Sequence, residues 1–296
     1  MSAISTEMYK HIRRIQIRTT HLVEDIFAGA YHSAFKGRGM AFDEVREYQS
    51  GDEVRSIDWN VTARMNHPYV KSFKEERELS IMLIVDVSAS LDFGSGNRPK
   101  RELVAEIAAV LAFSAIKNDD KVGLLLFSSE VEKFIPPAKG IRHVLRVIRE
   151  LLAFRPRHPG TDISKALEFL EKVQKRFAVC FLISDFMSDR DFSHAMAIAA
   201  RHYDLIAMGI TDPHEIAFPF LGLVTVSDLE SGVTALIDSG SAQLQRKFAQ
   251  RAQETAQQNM RMLKKVGAAF IPITSEDSYV AELQKFFLIR KRGVHS

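Results

Sequence analysis

Asp86-Val87-Ser88-Ala89-Ser90 places a carboxylate and two hydroxyls on alternate residues at the end of an apolar run, Leu79 to Val85. Two other polar points lie beside apolar segments. Asp185 follows the run Phe177 to Ile183, and Thr161 sits in Gly160-Thr161-Asp162, just before a helical stretch that begins at Ile163. Two ionised carboxylates about 6 Å apart repel by about 3 kcal/mol at an effective dielectric near 20, so either one keeps a proton or a cation lies between them. The hydroxyls of Ser88, Ser90 and Thr161 favour the cation. Hard divalent ions accept neutral and anionic oxygens together, in octahedral geometry and often with retained waters. Alternate residues of a turn can both face one ion, whereas residues i and i+2 of a helix cannot. The expected chemistry is therefore a divalent-cation site, Mg2+ with Mn2+ or Ca2+ as alternatives, formed by Asp86, Ser88, Ser90, Thr161 and Asp185. Each residue also has an ordinary reading alone: Thr161 as a helix N-cap, Ser90 as a turn residue, Asp185 as a loop acid.

For these points to meet, strands must deliver them to one edge. From Leu79 onward, apolar runs alternate with helical patterns, which predicts an α/β fold with a doubly wound, mostly parallel sheet. Strands are expected at Leu79–Val85, Val122–Phe127, Val131–Ile135, Phe177–Ile183, Asp204–Ile210 and Ala268–Ile273. The link Ser128-Ser129-Glu130 is too short for a parallel crossover, so the second and third strands should form an antiparallel hairpin. A further hairpin is expected at Val224–Val226 and Ala235–Ile237, and Gly267 should end a long helix bearing Leu244, Phe248 and Leu263. In such sheets ligands bind beyond the carboxyl ends of strands, where the strand order reverses. With the order 3-2-1-4-5, Asp86 and Asp185 leave neighbouring strands at that reversal and face one crevice.

The stretch before Leu79 reads differently, and the expected organisation is an extension at 1–78 followed by the α/β domain at 79–290. Ile12, Ile15, Leu22 and Ile26 recur at helical spacing, predicting a helix from Glu7 to Phe27. Lys36-Gly37-Arg38-Gly39 is a turn-rich break, Phe42 to Arg64 is polar, and Tyr69 to Phe73 alternates like a strand. Lys+Arg at 40 against Asp+Glu at 37 gives a net charge of +3, too balanced for nucleic acid as the main partner. Cys180 is the only cysteine and lies in an apolar run, where a buried strand residue is expected. One cysteine, no charged-then-apolar leader and no span-length apolar stretch together predict a cytoplasmic protein without a transmembrane segment.

Asp-x-Ser-x-Ser after a buried strand, then a loop Thr, then a post-strand Asp, resembles the metal-ion-dependent adhesion site of von Willebrand factor A domains. The resemblance implies Ser88, Ser90 and Thr161 as direct ligands, with Asp86 and Asp185 acting through bound waters. It also implies that a partner protein supplies a carboxylate to the ion. A second resemblance covers nearly the whole chain. Phe35-Lys36-Gly37-Arg38-Gly39, Arg46-Glu47-Tyr48, Gly51-Asp52, Arg55-Ser56-Ile57-Asp58-Trp59 and Ala63-Arg64 occur in the order of the bacterial domain-of-unknown-function fifty-eight family. That family implies a von Willebrand A-like domain and an association with MoxR-type AAA+ ATPases. Within the segment, Tyr48, Asp52, Arg55, Asp58, Trp59 and Arg64 are candidate partner-binding residues. The structural alternative is a turn at Gly51, ion pairs from Asp52 and Asp58 to Arg55 and Arg64, and Trp59 as a buried anchor.

The function expected from these features is a non-catalytic, metal-dependent interaction module, an adaptor for such an ATPase in protein-complex assembly or maturation. A metal-dependent phosphohydrolase is the rival enzyme class, but haloacid dehalogenase-type enzymes need an acid at the position of Ser88. No P-loop, nucleophile-elbow or His-Glu-x-x-His motif is present. A structural module with a vestigial site is the third class.

Overall fold

A computed structural model describes residues 6–23, 28–35, 40–75, 78–96, 98–188, 190–230 and 232–293. The turn expected at Lys36–Gly39 lies outside the described residues. The chain divides into two units, one formed by 1–34 with 80–296 and a smaller one formed by 35–79.

In the larger unit, the sequence pattern expected for buried strands produces a six-stranded sheet. Its members are β3 (Ser80–Asp86), β4 (Lys121–Phe127), β5 (Val131–Ala138), β6 (Val179–Ser184), β7 (Asp204–Thr211) and β10 (Ala269–Thr274), in the order β10-β7-β6-β3-β4-β5. All neighbouring pairs are parallel except β4 with β5. The expected antiparallel hairpin and strand order are both present, with β10 added at the far edge. The fold is thus the doubly wound α/β class. The reversal of strand order falls between β3 and β6, whose register aligns Val85 with Ile183. Asp86 and Ser184 therefore end adjacent strands, and Asp185 follows one residue beyond.

Helices cover both faces, and their sequences record how deeply each is covered. In α4 (Lys100–Lys117) Leu103, Val104, Ile107, Ala108, Leu111 and Ala115 are all buried, spanning most of the helix circumference. Such a helix is held between layers rather than laid on a surface. By contrast α5 (Ile141–Ala153) and α6 (Ile163–Val173) bury one stripe each, Val144, Val147, Ile148 and Leu151 in the first and Ile163, Ala166, Leu167 and Leu170 in the second. Cys180 is fully buried on β6 among Met82, Leu182 and Leu205, and burial pushes its thiol well above the usual range. The remaining helices are α7 (Ser193–His202), the single turn α8 (Pro213–Ile216), α9 (Ala242–Val266) and α10 (Tyr279–Gly293). Gly267, at φ +79°, closes α9 in the left-handed region as expected. β8 (Leu223–Ser227) and β9 (Thr234–Asp238) pair only with each other, as the second expected hairpin.

The N-terminal helices belong with this larger unit, not with an extension running to residue 78. α1 is described over Thr6–Leu22 and α2 over Ala28–Phe35, and the predicted end at Phe27 lies outside the described residues. Tyr31 of α2 is buried, donates to Asp120 at 3.0 Å and meets Phe287 edge-on at 6.0 Å between centroids. Arg18 of α1 reaches Glu106 at 3.1 Å. These contacts join residues too distant in sequence for helical periodicity to reveal.

The smaller unit contains β1 (Met40–Glu47) and β2 (Tyr69–Glu75), antiparallel in a two-stranded sheet, and α3 (Trp59–Met65). β1 was expected only as a polar stretch. Its charges mask a strand that exists through cross-strand pairing with β2, interrupted by a bulge between Phe42 and Glu44.

Candidate functional site

The carboxyl end of β3 turns sharply, and its own side chains fix the turn. Ser88 N donates to Asp86 Oδ1 at 2.8 Å, an Asx-type contact across two residues. Ser184 Oγ, at the end of β6, donates to Asp86 Oδ2 at 2.7 Å. Asp86, Ser88 and Ser184 are all fully buried. Ser88 Oγ and Ser90 Oγ stand 3.0 Å apart, on one side of the turn.

The loop carrying Thr161 is tied to this turn. Ala89 N donates to Pro159 O at 3.0 Å, and Asp162 N to Ser128 O at 2.9 Å. Glu132 of β5 holds the same loop from beneath, accepting from Ser128 Oγ at 2.8 Å, Arg157 N at 3.0 Å and His158 N at 3.3 Å. Burial alone would raise the Glu132 carboxyl, but these hydrogen bonds outweigh it and hold it below the usual carboxylate range. The expected N-cap role of Thr161 is filled by its neighbour instead. Asp162 accepts from Lys165 N at 3.1 Å, while Thr161 Oγ1 donates to Glu230 Oε1 at 3.0 Å.

Asp185 is not a solvated loop acid. Its side chain is 1% exposed and receives the Lys100 ammonium at 3.0 Å, and that same ammonium reaches Glu215 at 2.6 Å. Lys100, the first residue of α4, is itself fully buried. Burial would lower its pKa, but Asp185 and Glu215 prevail and raise it, so the ammonium stays charged. Among the described residues no basic side chain pairs with Asp86. Burial first, and then the charge of Asp185, push its carboxyl up to about 7, against the hydrogen bonds from Ser184 and Ser88. Asp212, the residue after β7, completes the edge by accepting from Ser95 N, Ser275 Oγ and His214 N at 2.9–3.0 Å.

The structure thus brings Asp86, Ser88, Ser90 and Asp185 to one strand edge, with the Thr161 loop hydrogen-bonded to it. Lys100, Glu132, Glu215 and Glu230 were not anticipated. Among the described residues, no group of three or more His, Cys, Asp or Glu side chains is placed to hold a metal ion, so a cation here depends on hydroxyl donors. The serine pair fits that requirement. Cis oxygens of an octahedral Mg2+ shell, each about 2.05 Å from the ion, lie about 2.9 Å apart. Asp86 fits as well, as a buried carboxyl that has no basic partner among the described residues and whose ionised form a cation would favour.

A family model described as "Protein of unknown function DUF58" matches residues 44–258. The chain belongs to the DUF58 family. The uncharacterized protein Rv1480 of Mycobacterium tuberculosis (strain ATCC 25618 / H37Rv) is 30% identical over 286 residues, which is 95% of this chain and 89% of that protein. The uncharacterized protein YeaD of Bacillus subtilis (strain 168) is 30% identical over 107 residues, 36% of this chain and 25% of its own length. Among solved structures, an aerotolerance-related membrane protein from Bacteroides fragilis NCTC 9343 shares the fold, at 15% identity and a TM-score of 0.50 over 73% of this chain and 99% of that one. Among the described residues no helix is long and apolar enough to cross a membrane.

In this DUF58 chain the motif residues of the smaller unit take roles that differ from the expected ion pairs. Gly51, at φ +116°, supplies the expected turn. Asp52, however, pairs with Arg46, through two bonds of 2.7 and 2.8 Å, and accepts from Gln49 N at 2.8 Å. Asp58 caps α3, accepting from Asn60 N and Val61 N. Both acids satisfy nearby backbone N–H groups, and Asp52 adds a bidentate pair with Arg46. Trp59 is 66% exposed rather than a buried anchor. Arg55 and Arg64 are exposed, and Tyr48 is half-buried with its N–H donating to Pro68 O at 2.9 Å.

Proposed function

We propose that this DUF58 protein is a non-catalytic protein-interaction module that works through a divalent cation, Mg2+ with Mn2+ or Ca2+ as alternatives. The observation that carries the reading is the Ser88–Ser90 hydroxyl pair at 3.0 Å beside the buried Asp86. Ser88, Ser90 and Thr161 would hold the ion. Asp86 and Asp185 stand behind them, oriented by Ser184 and Lys100 respectively. When bound, the cation supplies an electrophilic centre that accepts a carboxylate from a protein client. The single Lys100 ammonium offsets part of the charge of Asp185 and Glu215, which lessens the repulsion that carboxylate would meet. A non-enzymatic role is supported by Ser88, which carries no acid to protonate a leaving group where phosphohydrolases of the rival class need one. Family membership supports a MoxR-type AAA+ ATPase as the partner, with the exposed Trp59, Arg55 and Arg64 as a surface for it.

Calorimetric titration of the full chain with Mg2+ and Mn2+ tests the site. Saturable binding is expected, lost in Ser88→Ala/Ser90→Ala. Absence of binding in the wild type would leave a vestigial module, and Asp86-dependent, metal-dependent phosphatase turnover would establish the enzyme instead. Pull-down of the ATPase with and without chelator tests the partnership separately.

A further inference from the structure

The β8–β9 hairpin brings a carboxylate to the Thr161 loop. Asp228 organises its tip, donating through its N–H to Val233 O at 2.9 Å while its carboxylate accepts from Glu230 N at 2.8 Å. Ser239 closes its base, accepting from Leu221 N at 2.8 Å and donating to Gly222 O at 2.7 Å. The hairpin is a separate two-stranded sheet. Its tip is therefore carried as a unit, independent of the ladder of the main sheet.

Glu230 leaves that tip toward the site. Its Oε1 accepts from Thr161 Oγ1 at 3.0 Å, and its Oε2 lies 3.6 Å from where a Cβ on residue 160 would stand. Helix capping does not require this contact, because Asp162 already caps α6. A carboxylate beside a hydroxyl is a donor pair that a hard divalent cation accepts, since such ions take neutral and anionic oxygens together. The Thr161–Glu230 separation equals that of Ser88 and Ser90, and each matches the edge of an octahedral shell.

We infer that Glu230 is the chain's own carboxylate ligand for the cation site. Beside Thr161 it takes the position that a partner's carboxylate needs, so the resting protein is self-ligated and a client binds by displacing the hairpin tip. The inference rests on the cation reading above and fixes how that site is regulated.

Titration of the full chain with Mn2+, followed by calorimetry and by water-proton relaxation, tests it. Glu230→Gln is expected to weaken Mn2+ binding about tenfold and to raise the relaxation per bound Mn2+, as water fills the vacated position. Ser88→Ala/Ser90→Ala is expected to abolish binding. If Ser88→Ala/Ser90→Ala loses Mn2+ but Glu230→Gln keeps wild-type affinity and relaxation, Glu230 is not a ligand and the cation site stands. If the wild type binds no Mn2+, both fall together.

Discussion

Two acid–base clusters, one in each unit, are built on opposite principles. In the larger unit Lys100 is fully buried and bridges acids 85 and 115 residues away, one just after β6 and the other in α8. In the smaller unit Arg46 and Asp52 are six residues apart, with side chains 39% and 20% exposed. The first arrangement exists only once the sheet has formed, and then fixes the loops around the crevice. The second forms locally and shapes a single turn. Buried charge is expensive to strand, whereas exposed charge is partly compensated by water. The crevice should therefore be rigid and intolerant of substitution, and the smaller unit's surface should tolerate change while remaining available for contact.

The largest effect expected from that contrast is at Lys100. Lys100→Met leaves Asp185 and Glu215 without their shared cation and should destabilise the larger unit by about 3–5 kcal/mol, measured by urea unfolding. A loss below about 1 kcal/mol would mean that the crevice is more hydrated than the buried side chains indicate, and the contrast would weaken.

Next comes Glu132, which anchors the Thr161 loop without touching the proposed ligands. Glu132→Ala strands the Ser128, Arg157 and His158 donors and should cost about 1–3 kcal/mol at pH 7. The pH dependence has a definite sign. A carboxyl held below its ordinary value contributes stability that is present above about pH 4.3 and is lost as pH falls through its folded value. The difference between wild type and Glu132→Ala should therefore shrink between pH 5 and pH 3, measured as denaturant midpoints at each pH. A constant difference would reassign the loss to packing.

How much of this was legible in the sequence follows from the same contrast. Strands β3, β6 and β7 announce themselves because burial on both faces demands continuous apolar runs, and the Ser128-Ser129-Glu130 link dictates the antiparallel pair within the six-stranded sheet. Asp86, Ser88 and Ser90 were legible because their spacing is local. Lys100 was not: it stands in the basic run Arg98-Pro99-Lys100-Arg101, which reads as a solvated helix start. Its burial is decided by Asp185 and Glu215, and no local pattern encodes that meeting. Glu132 sits in Val131-Glu132-Lys133, an alternation any hairpin strand shows, and Glu230 sits in an ordinary polar turn. Conversely, Trp59 was open to two readings, a partner-binding residue or a buried anchor, and its ring is 66% exposed.

At the small end of the scale, Arg46→Ala removes a bidentate but partly exposed pair and should cost about 1 kcal/mol, visible as faster hydrogen exchange at Gln49 and Asp52. Trp59→Ala should change stability by less than about 0.5 kcal/mol, because so exposed a ring contributes little to folding. Its value lies in being the reverse of Lys100→Met. If the smaller unit is a contact surface, Trp59→Ala should weaken binding to the partner ATPase more than tenfold while the melting curve stays in place, as exposed aromatics at interface centres do. Arg55→Ala and Arg64→Ala should weaken it less. A Trp59→Ala protein that melts normally and binds normally would remove the smaller unit from the interface, leaving the crevice as the contact region. A protein that melts several degrees lower would instead show that the ring supports the fold, and the division of labour between the two units would have to be redrawn.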